Sequence, residues 1–256
     1  MPRSRASTCV CQVAGLALLL GAVGCALPLR PETGAPPAPS LLLPLARGNE
    51  WVYEVRNPAG QVSKMTMRVK GERYIESRGM AATIVEESGG IPGNAVLEEG
   101  DADLVAYYLR GGFIFRSPLL IARDWGLEDR GAELGDERLL PLDPERDPAW
   151  ESAYGLFEFG SRPLYEFRAS SRLAPAVDRV SVPAGVFERC VRVETSVSAT
   201  TPSAPTARTI VHTYVEWYAP RVGLVRSRSF VTEGDARLEV GSVELVGFRV
   251  AEAGPQ

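Results

Sequence analysis

Along residues 51–56, Trp-Val-Tyr-Glu-Val-Arg, the large apolar side chains fall at every second position. Met65, Met67 and Val69 alternate in the same way with Lys64, Arg68 and Lys70. A period of two puts successive side chains on opposite faces of an extended chain, so each segment predicts a strand with one buried and one wet face. Val191 and Val193 against Arg192 and Glu194 repeat the pattern, as do Val211, Val215 and Trp217 against His212 and Glu216. Sheets that are wet on one face are seldom parallel, so antiparallel pairing is expected. Further strands are predicted at 81–87, 103–109, 113–116, 164–169, 224–231 and 237–250, the last holding Gly241 and Gly247 as sites for bulges or a bend. The fold class is all-β: a mostly antiparallel curved sheet, forming a partial barrel or a sandwich, with few or no helices beyond the N-terminal leader.

Turn chemistry agrees with these cut points. Asn57-Pro58-Ala59-Gly60 and Val182-Pro183-Ala184-Gly185 place Pro and Gly at the second and fourth positions favoured by a type I turn. Residues 88–94, 111–112 and 233–235 are further breaks. Between 123 and 149 the alternation disappears, which predicts long loops over 130–138 and 143–148. A short helix is expected within 147–156, where Asp147 suits an N-cap and Pro148 a first helical position. Residues 196–207, rich in Ser, Thr, Ala and Pro, predict a mobile hairpin loop. A Leu-rich lead precedes Trp51 and Tyr53, and a similar one at 139–142 precedes Trp150 and Tyr154, a weak echo of an internal repeat.

The N-terminus has a different pattern. Arg3 and Arg5, with no acidic residue, precede an apolar run from Val10 to Val23. About 14 residues at ~1.5 Å each give a helix of roughly 21 Å, short of the ~30 Å hydrocarbon core of a bilayer. A cleaved leader is therefore expected at the N-terminus. Residues 26–40 hold five prolines and suit an extended tether, up to ~45 Å long at ~3.1 Å per residue. The expected organisation, its first boundary set by what the resemblance at Cys25 implies, is leader 1–24, anchor and tether 25–44, one β-rich domain 45–250, and a disordered tail 251–256.

Removal of the leader leaves 26 basic against 32 acidic side chains, a balance that disfavours nucleic acid as a partner. Of four cysteines, Cys9 and Cys11 leave with the leader, and Cys190 stands alone if Cys25 is modified. Candidate chemistry is sparse. His212 is the single histidine, so any Ser-His-Asp or Cys-His scheme would have to use it, and its phase on the strand reads as a solvated or hydrogen-bonded face. No Gly-x-Ser-x-Gly and no phosphate-binding Gly-rich Lys motif is present. No metal site and no cofactor are expected, since one His and one Cys are too few for zinc and the acidic run 98–103 lacks calcium-loop spacing. Cys190 alternates onto the wetter face unless a bulge after Gly185 turns it inward. Paired glycosidase carboxylates stay open, because fold and not spacing sets their partners.

Ala22-Val23-Gly24-Cys25 resembles the lipobox of bacterial lipoproteins, with Gly24 as the small residue before the cysteine and Ala22 where Leu is usual. The resemblance implies cleavage between Gly24 and Cys25, acylation of Cys25 including palmitate, and, with Ala26 next, an outer-membrane address on the periplasmic or surface side. The mature domain resembles uncharacterised exported proteins called TapB-like, through residues 44–53, 182–194 and 216–226; Arg221 replaces the usual Gly of the last run. That likeness implies a fold type and no activity. The expected function is a non-enzymatic, lipid-anchored envelope protein that binds an apolar ligand or an envelope partner. Trp51, Met65, Met67, Phe113, Phe115 and Trp217 are the candidate ligand lining. An assembly factor of an outer-membrane complex is the alternative, and a hydrolase without a recognisable motif a third.

Overall fold

A computed structural model of the chain describes residues 42–75, 79–89, 102–117, 136–158, 162–200, 209–233 and 236–250. Within them lie strands β1 Glu50–Arg56, β2 Val62–Ile75, β3 Met80–Ser88, β4 Ala102–Arg110, β5 Phe113–Ser117, β6 Glu137–Pro141, β7 Ala149–Glu158, β8 Arg162–Val182, β9 Gly185–Thr200, β10 Thr209–Ala219, β11 Gly223–Glu233 and β12 Ala236–Arg249. All eleven strand pairs are antiparallel. The order across the sheet is β6-β5-β4-β3-β2-β1-β12-β11-β10-β9-β8-β7. Every strand thus lies beside its sequence neighbour, and the first pairs with the last, so the sheet is an up-and-down ring interrupted once, between β6 and β7.

Side chains bridge that interruption. Trp150 Nε1 on β7 donates to the Arg138 carbonyl on β6 at 2.8 Å, and the Trp150 ring tilts against Phe113 of β5 at 6.2 Å. The result is a nearly closed barrel. Among the described residues there is no helix, and none long and apolar enough to cross a membrane.

The two ends of the barrel differ. At the near end the chain enters β1 and leaves β12, and the connections 111–112, 183–184 and 220–222 are short. Leu42 and Leu43 are buried here, so the packed domain begins at least three residues before the expected boundary at 45. The lead runs beside β2, with Gly48 N donating to the Val69 carbonyl and Val69 N to that of Asn49. The β8–β9 hairpin completes the seal. Register slips between Leu173 and Val177 and between Asp178 and Val180 bend it, and Ala184 N reaches the Leu245 carbonyl of β12 at 3.0 Å. Phe187 then packs on Phe248, with Val180 and Val182 buried nearby. Pro175, which cannot donate to a ladder, sits inside the first slip.

The inner face beside this seal is closely packed and apolar. Trp51 pairs with Met67, and Tyr53 with Met65, all at 2 % exposure or less. The outer face of the same wall is charged: Arg249, Glu50, Arg68, Glu86 and Lys70 form one chain of ion pairs across β12, β1, β2 and β3. Such exposed pairs contribute about 0–1 kcal/mol each. Their consequence is exclusion, because a membrane barrel carries an apolar band on its outer face, and this wall carries ions.

Several expectations change. Residues 149–158 are strand β7 and not a short helix: pairing along β8 outweighs the local capping pattern. Residues 137 and 138, expected in a loop, open strand β6 with the Leu-rich lead 139–141, β8 spans 162–182, and β9 continues through 196–200. The glycines of β12 behave as anticipated, since slips in register fall beside Gly247 against β1 and beside Gly241 against β11. Gly60 N bonds the Asn57 carbonyl at 2.9 Å, closing the β1–β2 turn. The leader, Cys25, most of the tether, the acidic run 98–101 and the tail lie outside the described residues.

Candidate functional site

Strand β10 carries the largest departure from a simple core. His212, Tyr214, Glu216 and Tyr218 share one face by alternation, and that face points into the barrel: His212 is 6 % exposed, Glu216 8 % and Tyr218 0 %. Cross-strand neighbours extend it, with Tyr214 opposite Ser229, Glu216 opposite Ser227, and Thr195 of β9 opposite Tyr214 on one side and Ser171 of β8 on the other. Ser171 and Thr195 hydroxyls bond each other at 2.9 Å. This wall was expected to be wet; it is polar but internal. A period of two marks two faces without saying which is inside, and here both carry large side chains.

Facing it is a charged group from the opposite wall. Arg116 of β5 is 1 % exposed and pairs in register with Tyr107 of β4 and Glu137 of β6. Its Nη2 lies 3.4 Å from a Glu87 oxygen, and its Nη1 3.9 Å from a Glu137 oxygen. Glu87, Arg116 and Glu137 all stand at the far ends of their strands, next to connections 89–101 and 118–136. The Glu87 and Glu137 side chains keep 10 % and 20 % exposure against 2 % for Arg116, so the group is wettest on that side.

Burial sets the protonation of the group. It pushes the Glu216 carboxyl up to about 8, opposed by the Tyr218 hydroxyl, which donates to it at 2.9 Å, and reinforced by the charge of Glu137. Burial likewise raises Glu137 to about 7, against the pull of Arg116. Tyr107, Tyr214 and Tyr218 are raised by the same cause, and His212 is lowered, so His212 stays neutral. Burial opposes the charge on Arg116, but Tyr107, Glu87 and Glu137 together hold it protonated. Among the described residues His212 Nδ1 and the Tyr214 hydroxyl have no hydrogen-bond partner. An unpaired buried polar atom costs about 1–3 kcal/mol, so this interior suits water or a polar guest better than hydrocarbon.

The residues singled out from sequence are divided. Trp51, Met65 and Met67 share the inner face and are packed as core. Phe113 and Phe115 lie on the face opposite Arg116, where Phe115 stacks on Tyr108 and Arg138 covers both rings. Trp217 alternates away from Glu216 and donates to Asp178 Oδ2 at 2.7 Å. The six therefore do not form one lining. Cys190 is fully buried: Arg189, at φ 58, forms part of the slip that turns it inward, and burial raises the thiol to about 12. A thiol so placed is inert. Among the described residues no His, Cys, Asp or Glu group could hold a metal ion.

Fold and site together define an up-and-down antiparallel barrel, apolar where Trp51, Met65 and Met67 pack and lined by ionisable groups on facing walls. Residues 162–237, from β8 into β12, match the DUF3108-like family model. A similar solved structure is that of a putative lipoprotein from Parabacteroides distasonis, 16 % identical, covering 82 % of this chain and 98 % of that one with a TM-score of 0.55. A putative exported protein with YmcC-like fold from Bacteroides fragilis aligns at 14 % identity over 80 % and 97 % of the two chains, with a TM-score of 0.43. At 16 % identity the likeness to the Parabacteroides structure is one of fold. No curated protein matches the sequence.

Proposed function

We propose that this chain is an exported, lipid-anchored protein of the cell envelope that takes a polar ligand into the interior of its barrel and performs no chemistry on it. The observation that carries the ligand is the inner wall itself: ionisable and hydroxyl side chains, some without partners, where a merely structural barrel would be filled with hydrocarbon. Trp51, Met65 and Met67 are packed as core, which favours a polar guest over the apolar one expected of the candidate lining. Anchoring rests on the lipobox-like Ala22-Val23-Gly24-Cys25, and the description of the Parabacteroides relative as a putative lipoprotein accords with it. Two acyl chains hold a protein at a bilayer where one is marginal, each buried CH2 contributing ~0.8 kcal/mol.

Membrane fractionation of the host tests the anchor. Cys25→Ser should move the protein from the outer-membrane fraction to the soluble periplasm or leave it unprocessed; unchanged membrane attachment would overturn the reading. Mass spectrometry of the wild-type protein purified from membranes should find a bound small molecule, whereas co-purification with a fixed set of envelope proteins alone would favour the assembly-factor alternative. Convergence of Glu137 and Glu216 on facing walls, one near 7 and one near 8, also fits acid–base hydrolysis. Hydrolysis of chromogenic glycosides, abolished by Glu216→Gln, would establish that second reading.

A further inference from the structure

We propose that the guest is an organic cation, an alkylammonium or guanidinium group held between Glu137 of β6 and Glu216 of β10 inside the barrel. This deepens the binding-protein reading and rests on it. Across the described interior, Glu87, Glu137 and Glu216 face Arg116, which lies within ion-pair distance of Glu87 and Glu137 and acts on Glu216 through its charge alone. Glu216 is 8 % exposed and has the Tyr218 hydroxyl as its hydrogen-bond donor, with no ion pair among the described residues. A buried carboxylate in that position either keeps its proton or waits for a positive charge.

Three further features select the kind of cation. His212, buried and neutral, presents Nδ1 without a partner two turns of alternation from Glu216, and Tyr214 between them presents its hydroxyl likewise. Both can accept from an N–H donor. Tyr107, Tyr214 and Tyr218 add aromatic rings, whose faces attract cations. The carboxylates come from separate strands, and among the described residues no cluster of three or more ligating side chains is formed, an arrangement that suits a larger, organic cation. Glu137, partly exposed at the far end, provides the approach.

Binding then has a proton attached to it. At pH 7 Glu216 carries a proton, and a bound ammonium favours its release, so affinity rises with pH toward about 8. The groups that act on Glu216 are Tyr218 on its own strand, Glu137 from β6 and Arg116 from β5, and Glu216 acts in turn on Tyr214; Glu137, near 7, adds to the same dependence.

The test is calorimetric titration of the purified protein with butylammonium and with tetramethylammonium, at constant ionic strength, in two buffers of different ionisation enthalpy. The expected result is saturable binding of at least one of them, proton release at pH 7, and affinity at least tenfold higher at pH 8 than at pH 6. Glu216→Gln should weaken binding at least tenfold and remove most of the proton release; Glu137→Gln serves as the second variant if the first fails to fold. Heat effects equal to those of sodium chloride, or undiminished binding in both variants, would overturn the proposal. Co-purification of a neutral or anionic molecule that neither amine displaces would overturn it while leaving the binding-protein reading standing; an empty interior that no small molecule enters would sink both.

Discussion

Glu216 shows how a single buried side chain ties stability to pH. In the unfolded chain its carboxyl titrates near the ordinary glutamate value of about 4.3; in the folded barrel burial raises it to about 8. Folded protein therefore binds more protons than unfolded protein between those values, so this residue's stabilising contribution is complete below the lower one and is lost as pH rises through the upper. Chemical denaturation at a series of pH values should show wild-type stability falling between about pH 4.5 and pH 8, and Glu216→Gln should flatten that fall. None of this was legible residue by residue. Glu216 sits in an alternating run whose other face bears Val211, Val215 and Trp217, and local pattern assigns the acid to the solvent side. Only closure of the ring turns that side inward. Glu87, Arg116 and Glu137 were hidden for the same reason, being ordinary surface residue types in three separate strands. Cys190 was half legible, since the bulge that buries it could be anticipated from Gly185 but its occurrence could not.

Elements were easier to read than side chains. Where one face alone is apolar, as in β1 and β2, alternation located the strand to within a few residues at most ends, and Pro and Gly located the turns. Reading failed at 137–138 and over 147–158, where β6 is only five residues long and β7 follows an Asp-Pro pair that is a good helix start in isolation. Pairing with β8 decides the matter, an interaction with no local trace. The turn from β10 to β11 offers a quantitative check. Val222 N bonds the Ala219 carbonyl at 2.9 Å, and Arg221 takes φ 58, in the left-handed region. That conformation costs a non-glycine residue about 1–2 kcal/mol, part of which glycine gives back by being freer in the unfolded chain. Arg221→Gly is thus expected to stabilise by about 0.5–1 kcal/mol, read as a rise of about 1–4 °C in melting temperature. A fall would show that the guanidinium makes a compensating contact.

For the whole molecule, the informative place is the single gap in the ring. β6 and β7 do not pair as a ladder, and the Trp150 indole bonding to the Arg138 carbonyl substitutes for one. Trp150→Phe keeps the ring that packs on Phe113 but removes the donor, so it should cost about 1–2 kcal/mol and accelerate amide hydrogen exchange in β6 and β7 well before β1 and β12; uniform acceleration across all strands would argue against a local role. The all-β class and the curvature were apparent from composition and period, whereas the up-and-down order was not, because it depends on β1 and β12 finding one another from opposite termini. That meeting has a temporal side. A chain emerging from its N-terminus makes β1 first and must leave one flank of it unpaired until residues 236–249 arrive, so ring closure is the latest event in assembly and a contact across almost the full length of the domain. Until then Trp51 and Tyr53 lie beside an open sheet edge, and any factor that binds the nascent polypeptide meets that half-dressed form and never the sealed one.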